Sequence, residues 1–424
     1  MERIITRHPL VTSLLGARGN PRACMYTEPL WAIPFHLYMP FAPVYMLALG
    51  LTERTIGLVA TVGLLLQIVT SLLGGPITDK LGRKRATFIF DVISWSIPTL
   101  LWAFAQSEVW FYTAALFNAL LRITMTSWTC LFIEDAPPTR VVHFWTWVHV
   151  AGIAAGVVTP LAGLLIERFS LIPTMRAIYL FAFLSMTAKF VILNVYATET
   201  RQGEVRMRET AGMPFLAVVS ESIGNVRTII RSPGTVLAIT VLAVHAIYMT
   251  LYMTFFSVLL AEGLQFAPRE IGIFPALRSV VILVFFFVII PRLHQQRHIG
   301  YLAIGYAVTA IAMVVLVLAP VRGLWIVTVA TLIEASGAAL LAPYVEGFVT
   351  AIVDPHHRAR ILAVAHTAVL LVASPFGWIG GVLSEAGKAL PFVLAGFLMV
   401  AALTLVLVLN PERAASGDGD TPVT

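Results

Sequence analysis

Twelve long apolar segments run along this chain, separated by short polar connections. A helix needs about 20 apolar residues to cross the hydrocarbon core of a bilayer, and each segment reaches roughly that length. We therefore predict an all-helical, polytopic membrane protein with twelve transmembrane spans. The predicted spans are 28–50, 55–79, 84–106, 109–133, 142–166, 173–196, 234–261, 268–291, 299–319, 322–345, 359–384 and 388–410.

Lysine and arginine are concentrated at the chain ends and in every second connection. Short connections rich in these residues stay on the cytoplasmic side of a membrane. We therefore expect both termini in the cytoplasm and a multi-pass protein in the cell membrane. The excess of arginine over lysine favours a bacterial source. The few basic residues of the opposite connections are Arg54, Arg168, Arg176, Arg269, Arg322 and Lys388.

The composition agrees with a protein that is dissolved in lipid. Hydrophobic residues make up 58% of the chain and charged residues 12%, and the mean hydropathy is +0.87. Soluble domains carry about 25% charged residues. The net charge of +6 lies in the connections, so we interpret it as membrane topology and expect a lipid bilayer, not nucleic acid, as the partner. Cys24 and Cys130 lie in or beside apolar segments, which argues against a disulfide framework.

The longest polar connection, residues 197–233, divides the chain into two six-span halves. The halves resemble each other weakly: Asp135 to Arg140 follows span four as Asp354 to Arg358 follows span ten. Internal repeats with a substrate site near the membrane midplane are typical of secondary transporters. The predicted domains are a cytoplasmic segment (1–27), an N-terminal bundle (28–196), a central cytoplasmic loop (197–233), a C-terminal bundle (234–410) and a cytoplasmic tail (411–424).

The connection after span two reads Gly75-Pro-Ile-Thr-Asp79-Lys80-Leu-Gly82-Arg83-Lys84-Arg85. This segment, the loop motif, resembles the Gly-x-x-x-Asp-Arg/Lys-x-Gly-Arg-Arg/Lys loop of the major facilitator superfamily (MFS). The resemblance extends to the whole chain through the six-plus-six plan. It implies the MFS fold, and a cytoplasmic latch at the loop motif that opens during transport. A plain topology anchor is the alternative.

The residues of the loop motif also have individual expectations. Gly75 would let a helix end approach a neighbour, and Gly82 would permit a tight turn. Asp79 could accept backbone N–H groups at a helix N-terminus. Arg83 could pair with an acidic residue at the end of span four. Two acidic residues are available there, Glu134 and Asp135.

Ionisable residues at membrane depth usually face the bundle interior and serve function. Arg122 lies near the middle of span four, with Asn118 and Thr126 predicted on its helical face. We expect this polar stripe to line a cavity, and Arg122 also resembles an arginine that many MFS members place in this span. The alternative is a structural ion pair between Arg122 and Asp91 of span three.

Glu334 lies at mid-depth in span ten. It could take up a proton if burial destabilises its charged form, it could bind a cationic group of the substrate, or it could form a structural hydrogen bond. Tyr248 lies in span seven next to the expected pocket. Histidines occur in four spans, and one from each span is considered as either a pathway residue or a helix–helix hydrogen-bond partner. They are His36, His149, His245 and His366.

These features favour a secondary active transporter that moves a small solute by alternating access. The chain has no nucleotide-binding Gly-x-x-x-x-Gly-Lys-Ser/Thr loop, so we expect a proton gradient as the energy source. We predict efflux of drug-like or amphipathic metabolites by a monomer with no cofactor, metal site or enzymatic activity. Uptake of an anionic or sugar-like nutrient by symport or facilitated diffusion is the alternative, and a membrane-embedded enzyme is the alternative of another class.

Overall fold

The computed structural model describes residues 9–223, 233–293, 298–352 and 367–408. Within these ranges it contains twelve helices that are long and apolar enough to cross a membrane, as the sequence predicted. These spans, numbered one to twelve, are Gly19–Ala48, Glu53–Leu81, Arg83–Ala103, Glu108–Ile133, Pro138–Phe169, Leu171–Tyr196, Ile239–Gly263, Pro268–Arg292, Ile299–Val317, Leu324–Val345, Thr367–Ala386 and Leu390–Val408.

Further helices lie outside the spans. Pro9–Leu15 precedes span one, and two helices occupy the connection between the halves. The first of these, Arg201–Thr210, is named the linker helix, and the second is Phe215–Ile223. The helix that contains span seven begins at Pro233, and the one that contains span ten continues to Ile352.

Several spans are interrupted where the sequence disturbs the regular hydrogen-bond ladder. A 3₁₀ turn, Met39–Phe41, surrounds Pro40 in span one, and another, Gly156–Val158, precedes Pro160 in span five. Proline cannot donate the backbone hydrogen bond that a helix interior requires. Span four is broken by a turn at residues 119–120.

Span one begins nine residues earlier than predicted, at Gly19 instead of 28. The extra turns are polar, but their polar groups have partners inside the protein. Asn20 donates to the carbonyl of Thr198 at 3.0 Å and accepts from its N–H at 2.9 Å. Because these groups are satisfied, the helix can continue through residues that a hydropathy pattern would place outside the membrane.

The two ends of the helix bundle are named after the loop motif. The motif end holds Gly82 and the linker helix, and the opposite end, at the other side of span two, holds Gly50. At the opposite end the two halves are in close contact. A Cβ atom on Gly57 of span two would lie 2.9 Å from the carbonyl carbon of Gly377 and 3.1 Å from the nitrogen of Gly381, both in span eleven. This approach of two backbones requires glycine.

Polar contacts reinforce this interface between spans two and eleven, which is named the seam. The hydroxyl of Thr61 donates to the carbonyl of Ser374 at 2.6 Å and accepts from the N–H of Trp378 at 2.8 Å. Within the described ranges, all ion pairs between the halves lie at the opposite end: Arg54–Glu385, Glu53–Lys388 and Glu167–Arg269. The halves are therefore sealed against each other at this end.

Replacing Gly57 by alanine should disrupt the seam. The new methyl group would overlap the backbone of span eleven, and overpacking of this kind costs about 1–3 kcal/mol. We expect Gly57→Ala to lower the midpoint of thermal unfolding in detergent. Gly63→Ala is the matched control in the same span, because its Cβ would only touch that of Ala115 at 3.9 Å. Equal midpoints for the two variants would show that the seam is not tightly packed.

Candidate functional site

A cavity of about 120 Å³ lies between the two halves. Span one lines it from the N-terminal half, and spans seven and eight line it from the C-terminal half. Most of the lining is aromatic, sulfur-containing or aliphatic, and its one charged side chain is Arg278. The lining residues are Phe35, His36, Met39, Pro40, Tyr252, Met253, Phe256, Ser257, Ile271, Pro275, Arg278 and Ser279.

Arg278 forms a two-pronged ion pair with Glu334 behind the cavity wall. Its Nε donates to Glu334 Oε2 at 2.8 Å and its Nη2 donates to Oε1 at 3.2 Å. The side chain of Glu334 is 2% exposed and that of Arg278 is 16% exposed. Such a fork of hydrogen bonds fixes the plane of the guanidinium group. The cavity thus has a cationic group whose charge is already balanced.

Two tyrosines of span seven complete this arrangement. The hydroxyl of Tyr248 donates to Glu334 Oε1, and the guanidinium carbon of Arg278 lies 5.5 Å from the ring centre of Tyr252. A cation over an aromatic face gains electrostatic stabilisation. His245 lies one turn before Tyr248, and its buried Nδ1 has no hydrogen-bond partner within the described structure. Arg278, the centre of this cluster, was missed in the sequence.

The local sequence explains why these side chains meet. Tyr248, Tyr252 and Phe256 recur every four residues and therefore share one face of span seven. In span eight, Pro275 lies one turn before Arg278 and has no N–H to donate to the helix, and the hydroxyl of Ser279 donates to the Pro275 carbonyl at 3.0 Å. The signal for Arg278 was its position as a lone ionisable residue at mid-depth, the same signal that drew attention to Arg122.

Arg122 does not reach this cavity. Its Nε donates to Gln67 Oε1 at 2.8 Å and its Nη1 contacts Met125 Sδ at 3.8 Å. The predicted polar stripe on span four is wrong, because the turn at residues 119–120 separates Asn118 from the helix of Arg122. Asn118 donates to the carbonyl of Ser94, and Thr126 donates to the carbonyl of Arg122.

The alternative ion pair between Arg122 and Asp91 is also absent. Asp91 is buried and accepts a hydrogen bond from the hydroxyl of Thr124 at 2.7 Å. It faces the buried side of span four, while Arg122 is directed at span two. The two charges therefore belong to different environments.

The histidines separate into different environments. His36 lines the central cavity, with its Nδ1 2.9 Å from the carbonyl of Ala32. His149 is exposed and its Nδ1 lies 2.8 Å from the carbonyl of Trp145, so it is a surface residue of span five. His366 lies outside the described residues. The structure thus brings His36, His245, Tyr248 and Glu334 together around Arg278.

At the motif end, Gly82 makes the tight turn between spans two and three. Its φ of 84° lies in the region that favours glycine. A Cβ there would lie 2.8 Å from the sulfur of Met207 and 3.0 Å from the carboxyl carbon of Glu199. The expected role of Gly75 is wrong: its Cβ would meet nothing within 4 Å. Its neighbour Gly74 makes the close approach instead, to Thr126 at 2.8 Å.

Arg83 lies at the centre of a charged network around this turn. It is bonded to Glu134 of span four at 3.1 Å and to Asp79 at 3.0 Å. Glu134 also accepts from the hydroxyl of Thr200 at 2.5 Å. Asp135 is more remote, with the N–H of Arg201 at 3.5 Å from its Oδ1. Of the two acidic residues at the end of span four, Glu134 is therefore the partner of Arg83.

Asp79 does not receive the backbone N–H groups of span three, which corrects the sequence expectation. Glu199 accepts them instead, from Arg83 N at 2.8 Å and Lys84 N at 3.1 Å. Asp79 accepts two hydrogen bonds from Arg206 of the linker helix, at 2.9 and 3.1 Å. These bonds raise the pKa of Arg206 above its ordinary value, so its charge persists at any physiological pH.

Lys80 also contacts the connection between the halves. Its Nζ donates to the carbonyls of Thr210 at 3.2 Å and Met213 at 2.7 Å. Together with Glu199 and Arg206, it attaches the linker helix to the loop motif. Sequence reasoning missed Glu199 and Arg206, because a carboxylate or guanidinium group in a polar connection gives no indication of its partner.

A larger groove of about 550 Å³ lies between spans nine and twelve. Its lining is apolar, and Val314, Phe397 and Val400 are exposed. Exposed apolar residues of a membrane protein face lipid chains. We assign this groove to the lipid-facing surface and the central cavity to function.

The family model of the Major Facilitator Superfamily matches residues 32–373. The chain is 22% identical over 384 residues to multidrug resistance protein 2 of Bacillus subtilis (strain 168), covering 89% of this chain and 92% of that protein.

Among solved structures, the nucleoside transporter NupG superposes with a TM-score of 0.69 at 13% identity, covering 92% of this chain and 98% of that one. The inward-open xylose transporter XylE from E. coli has a TM-score of 0.68 at 13% identity, covering 91% and 96%. These two likenesses concern the fold alone. With the matching family model and the twelve spans, they lead to one conclusion: the chain belongs to the major facilitator superfamily and is a twelve-span membrane transporter.

Proposed function

We propose that this transporter exports amphipathic, drug-like solutes in exchange for protons, by alternating access around the central cavity. The observation that carries the proposal is the cavity itself: an aromatic and methionine-rich wall with one guanidinium group that is neutralised by Glu334. Burial of apolar and aromatic solute surface against such a wall favours binding. The name of the Bacillus subtilis relative, a multidrug resistance protein, supports the same class of substrate.

The charge balance favours this class over simple anions. An arginine that is bonded to a buried carboxylate offers little net attraction to a free anion. The Arg278–Glu334 pair is still a fixed dipole at the cavity wall. It lies beside the aromatic ring of Tyr252, whose centre is 5.5 Å from the guanidinium carbon of Arg278. Solutes with a large apolar surface and one polar or cationic group fit this combination best.

The contacts between the halves support a conformation that is closed at the opposite end. We propose that the motif end faces the cytoplasm, as its basic residues favour, so that the solute enters from the cytoplasm in this state. In this orientation both termini are cytoplasmic and the protein lies in the cytoplasmic membrane of a bacterium. We further propose that it acts as a monomer, since each half supplies one wall of the cavity.

Proton coupling is part of the proposal, but Glu334 has a different role from the one first considered. Protonation of Glu334 would leave Arg278 as an uncompensated charge in the bundle. We therefore propose that Glu334 and Tyr248 hold Arg278 in place for the solute. The prediction that Glu334 carries protons stays untested.

Nutrient uptake remains the second candidate function, because Arg278 could bind an anionic group if Glu334 were neutralised. A membrane-embedded enzyme would need free acidic groups near one interface. Glu134, the best candidate, is engaged by Arg83 and Thr200.

The bonds of the linker helix to Asp79 and Lys80 support the proposal that the loop motif acts as a latch.

Transport in proteoliposomes tests the proposed function directly. With a pH gradient imposed, we expect the purified protein to accumulate ethidium, an amphipathic cation, and a protonophore to abolish the accumulation. Arg278→Ala should reduce the rate at least tenfold, because Glu334 is then left without its partner. Movement of uridine or xylose without ethidium would instead establish nutrient transport. Silence towards every solute, with the protein folded, would refute the proposal.

The charge balance of the cavity can be tested with two ions of nearly identical shape. In Glu334→Gln, Arg278 is no longer neutralised, so the ratio of tetraphenylborate to tetraphenylphosphonium affinity should rise about tenfold or more, equivalent to about 1.4 kcal/mol. Equilibrium binding to the purified protein measures it. The control Glu262→Gln removes an exposed carboxylate at the opposite end of span seven. An unchanged ratio would show that the pair does not set the preference.

The latch predicts a link between Gly82 and the linker helix. In Gly82→Ala, the methyl group would meet Glu199 and Met207, so the linker helix should detach. We expect faster tryptic cleavage at Arg206 and Arg208 and slower ethidium transport. Gly212→Ala is the control, because its Cβ would meet nothing within 4 Å. If both variants behave like the wild type, the loop motif is an anchor and not a latch.

A further inference from the structure

Three charged side chains are buried together in the N-terminal half, away from the central cavity. Glu28 of span one, Asp91 of span three and Lys189 of span six are each less than 10% exposed. Lys189 Nζ lies 2.8 Å from Glu28 Oε2, so its ammonium group points into the bundle. This cluster is named the buried triad.

The charges of the buried triad do not balance. Two carboxylates share one ammonium group, and the ammonium is bonded to Glu28. Asp91 interacts electrostatically with both, and among the described residues it accepts a hydrogen bond from the hydroxyl of Thr124. A buried charge without compensation is strongly unfavourable, and such a group tends to take up a proton. Asp91 is the carboxylate of the buried triad without a cation bonded to it, so it is the one best placed to bind a proton.

Among the described cations, Lys189 interacts with Asp91, and Lys84 lines the same crevice without an ion pair to it. The ring systems of Trp31 and Trp128 flank Lys189, with centres 5.7 and 5.9 Å from its Nζ. From span one, Glu28 and Cys24 are the titratable neighbours. The nearest arginines along spans three and four have other partners, Arg83 with Glu134 and Arg122 with Gln67.

A crevice lies between Asp91 and the motif end. Its inner part lies between spans three, four and six, and its lining includes Lys84, Thr87, Phe88, Asp91 and Asn194. This part is too narrow for a water molecule in the present conformation. The outer part, of about 800 Å³, shares Lys84, Phe88 and Asn194 with the inner part. Its lining also includes Arg85 of the loop motif and Glu199 of the connection between the halves.

We propose that Asp91 carries the transported proton, which it exchanges with the motif end through this crevice, and that the Glu28–Lys189 pair sets how tightly the proton is held. This inference rests on the proton-coupled transport proposed above. When Asp91 releases its proton, Lys189 attracts two carboxylates, Glu28 and Asp91. This attraction brings spans one, three and six closer together. Span one also lines the central cavity through His36 and Phe35, which connects the proton to the solute.

Infrared spectroscopy of the purified protein tests the site without any solute. The carbonyl band of a protonated carboxyl should disappear as the pH is raised, and Asp91→Asn should abolish this band, whereas Glu108→Gln, which changes an exposed carboxylate, should retain it. Glu28→Gln should lower the pH of half-loss and Lys189→Gln should raise it, each by about 1–3 units, because they remove a like and an opposite charge.

A merely structural role for the buried triad would not give these opposite shifts. Retention of the band in Asp91→Asn, or shifts of the same sign in the other two variants, would overturn the assignment. If Asp91→Asn does not fold, the opposite shifts in Glu28→Gln and Lys189→Gln still test the assignment, because both variants retain Asp91.

Transport separates this inference from the proposed function. Asp91→Asn should retain ethidium exchange without a gradient but lose accumulation driven by a pH gradient. Equal accumulation in Asp91→Asn and wild type would reject Asp91 while leaving proton-coupled export intact. Failure of the wild type to move ethidium would reject the proposed function, and the infrared titration would still decide whether Asp91 holds a proton.

Discussion

A charge buried at membrane depth is costly unless the protein balances it, because lipid supplies neither water nor counter-ions. This constraint accounts for the pairing of Arg278 with Glu334 and of Lys189 with Glu28. Both pairs join different spans, so they fix the rotation of those spans about their axes. The apolar residues that remain can then face lipid without specific partners.

The two halves meet the constraint in different ways. In the C-terminal half the pair is complete, and its balanced charge leaves a polar group in an otherwise apolar cavity. In the N-terminal half a second carboxylate, Asp91, is left over. A balanced pair suits the binding of amphipathic solutes, whereas an excess carboxylate suits the binding of a proton. Span one touches both sites, through Glu28 at one and His36 at the other.

The length and apolar composition of the segments were sufficient to predict the twelve spans, since a bilayer imposes both on each span. The loop motif also allowed individual contacts to be anticipated, namely the turn at Gly82 and the proximity of Arg83 to Glu134. The turn is local to one connection, and Glu134, 51 residues away, ends a span on the same side of the membrane. The family followed from the same motif.

The rotation of each helix was not predictable. Gly75 and Gly74 are equivalent in the sequence, yet only Gly74 faces span four. Arg122 and Arg278 are both lone arginines at mid-depth, yet only Arg278 lines the central cavity, since which neighbour a side chain meets depends on packing of distant segments. The pairing of Lys189 with Glu28 was likewise not predictable, because the two residues lie 161 residues apart in the chain.

The coupling of solute and proton is measured most directly by calorimetry. Binding of tetraphenylphosphonium to the purified protein, titrated in buffers that differ in ionisation enthalpy, gives the number of protons exchanged on binding. We predict the release of about one proton per bound ion in the wild type and none in Asp91→Asn. Binding without proton exchange in the wild type, or the same release in Asp91→Asn, would contradict a transporter whose solute and proton sites communicate through span one.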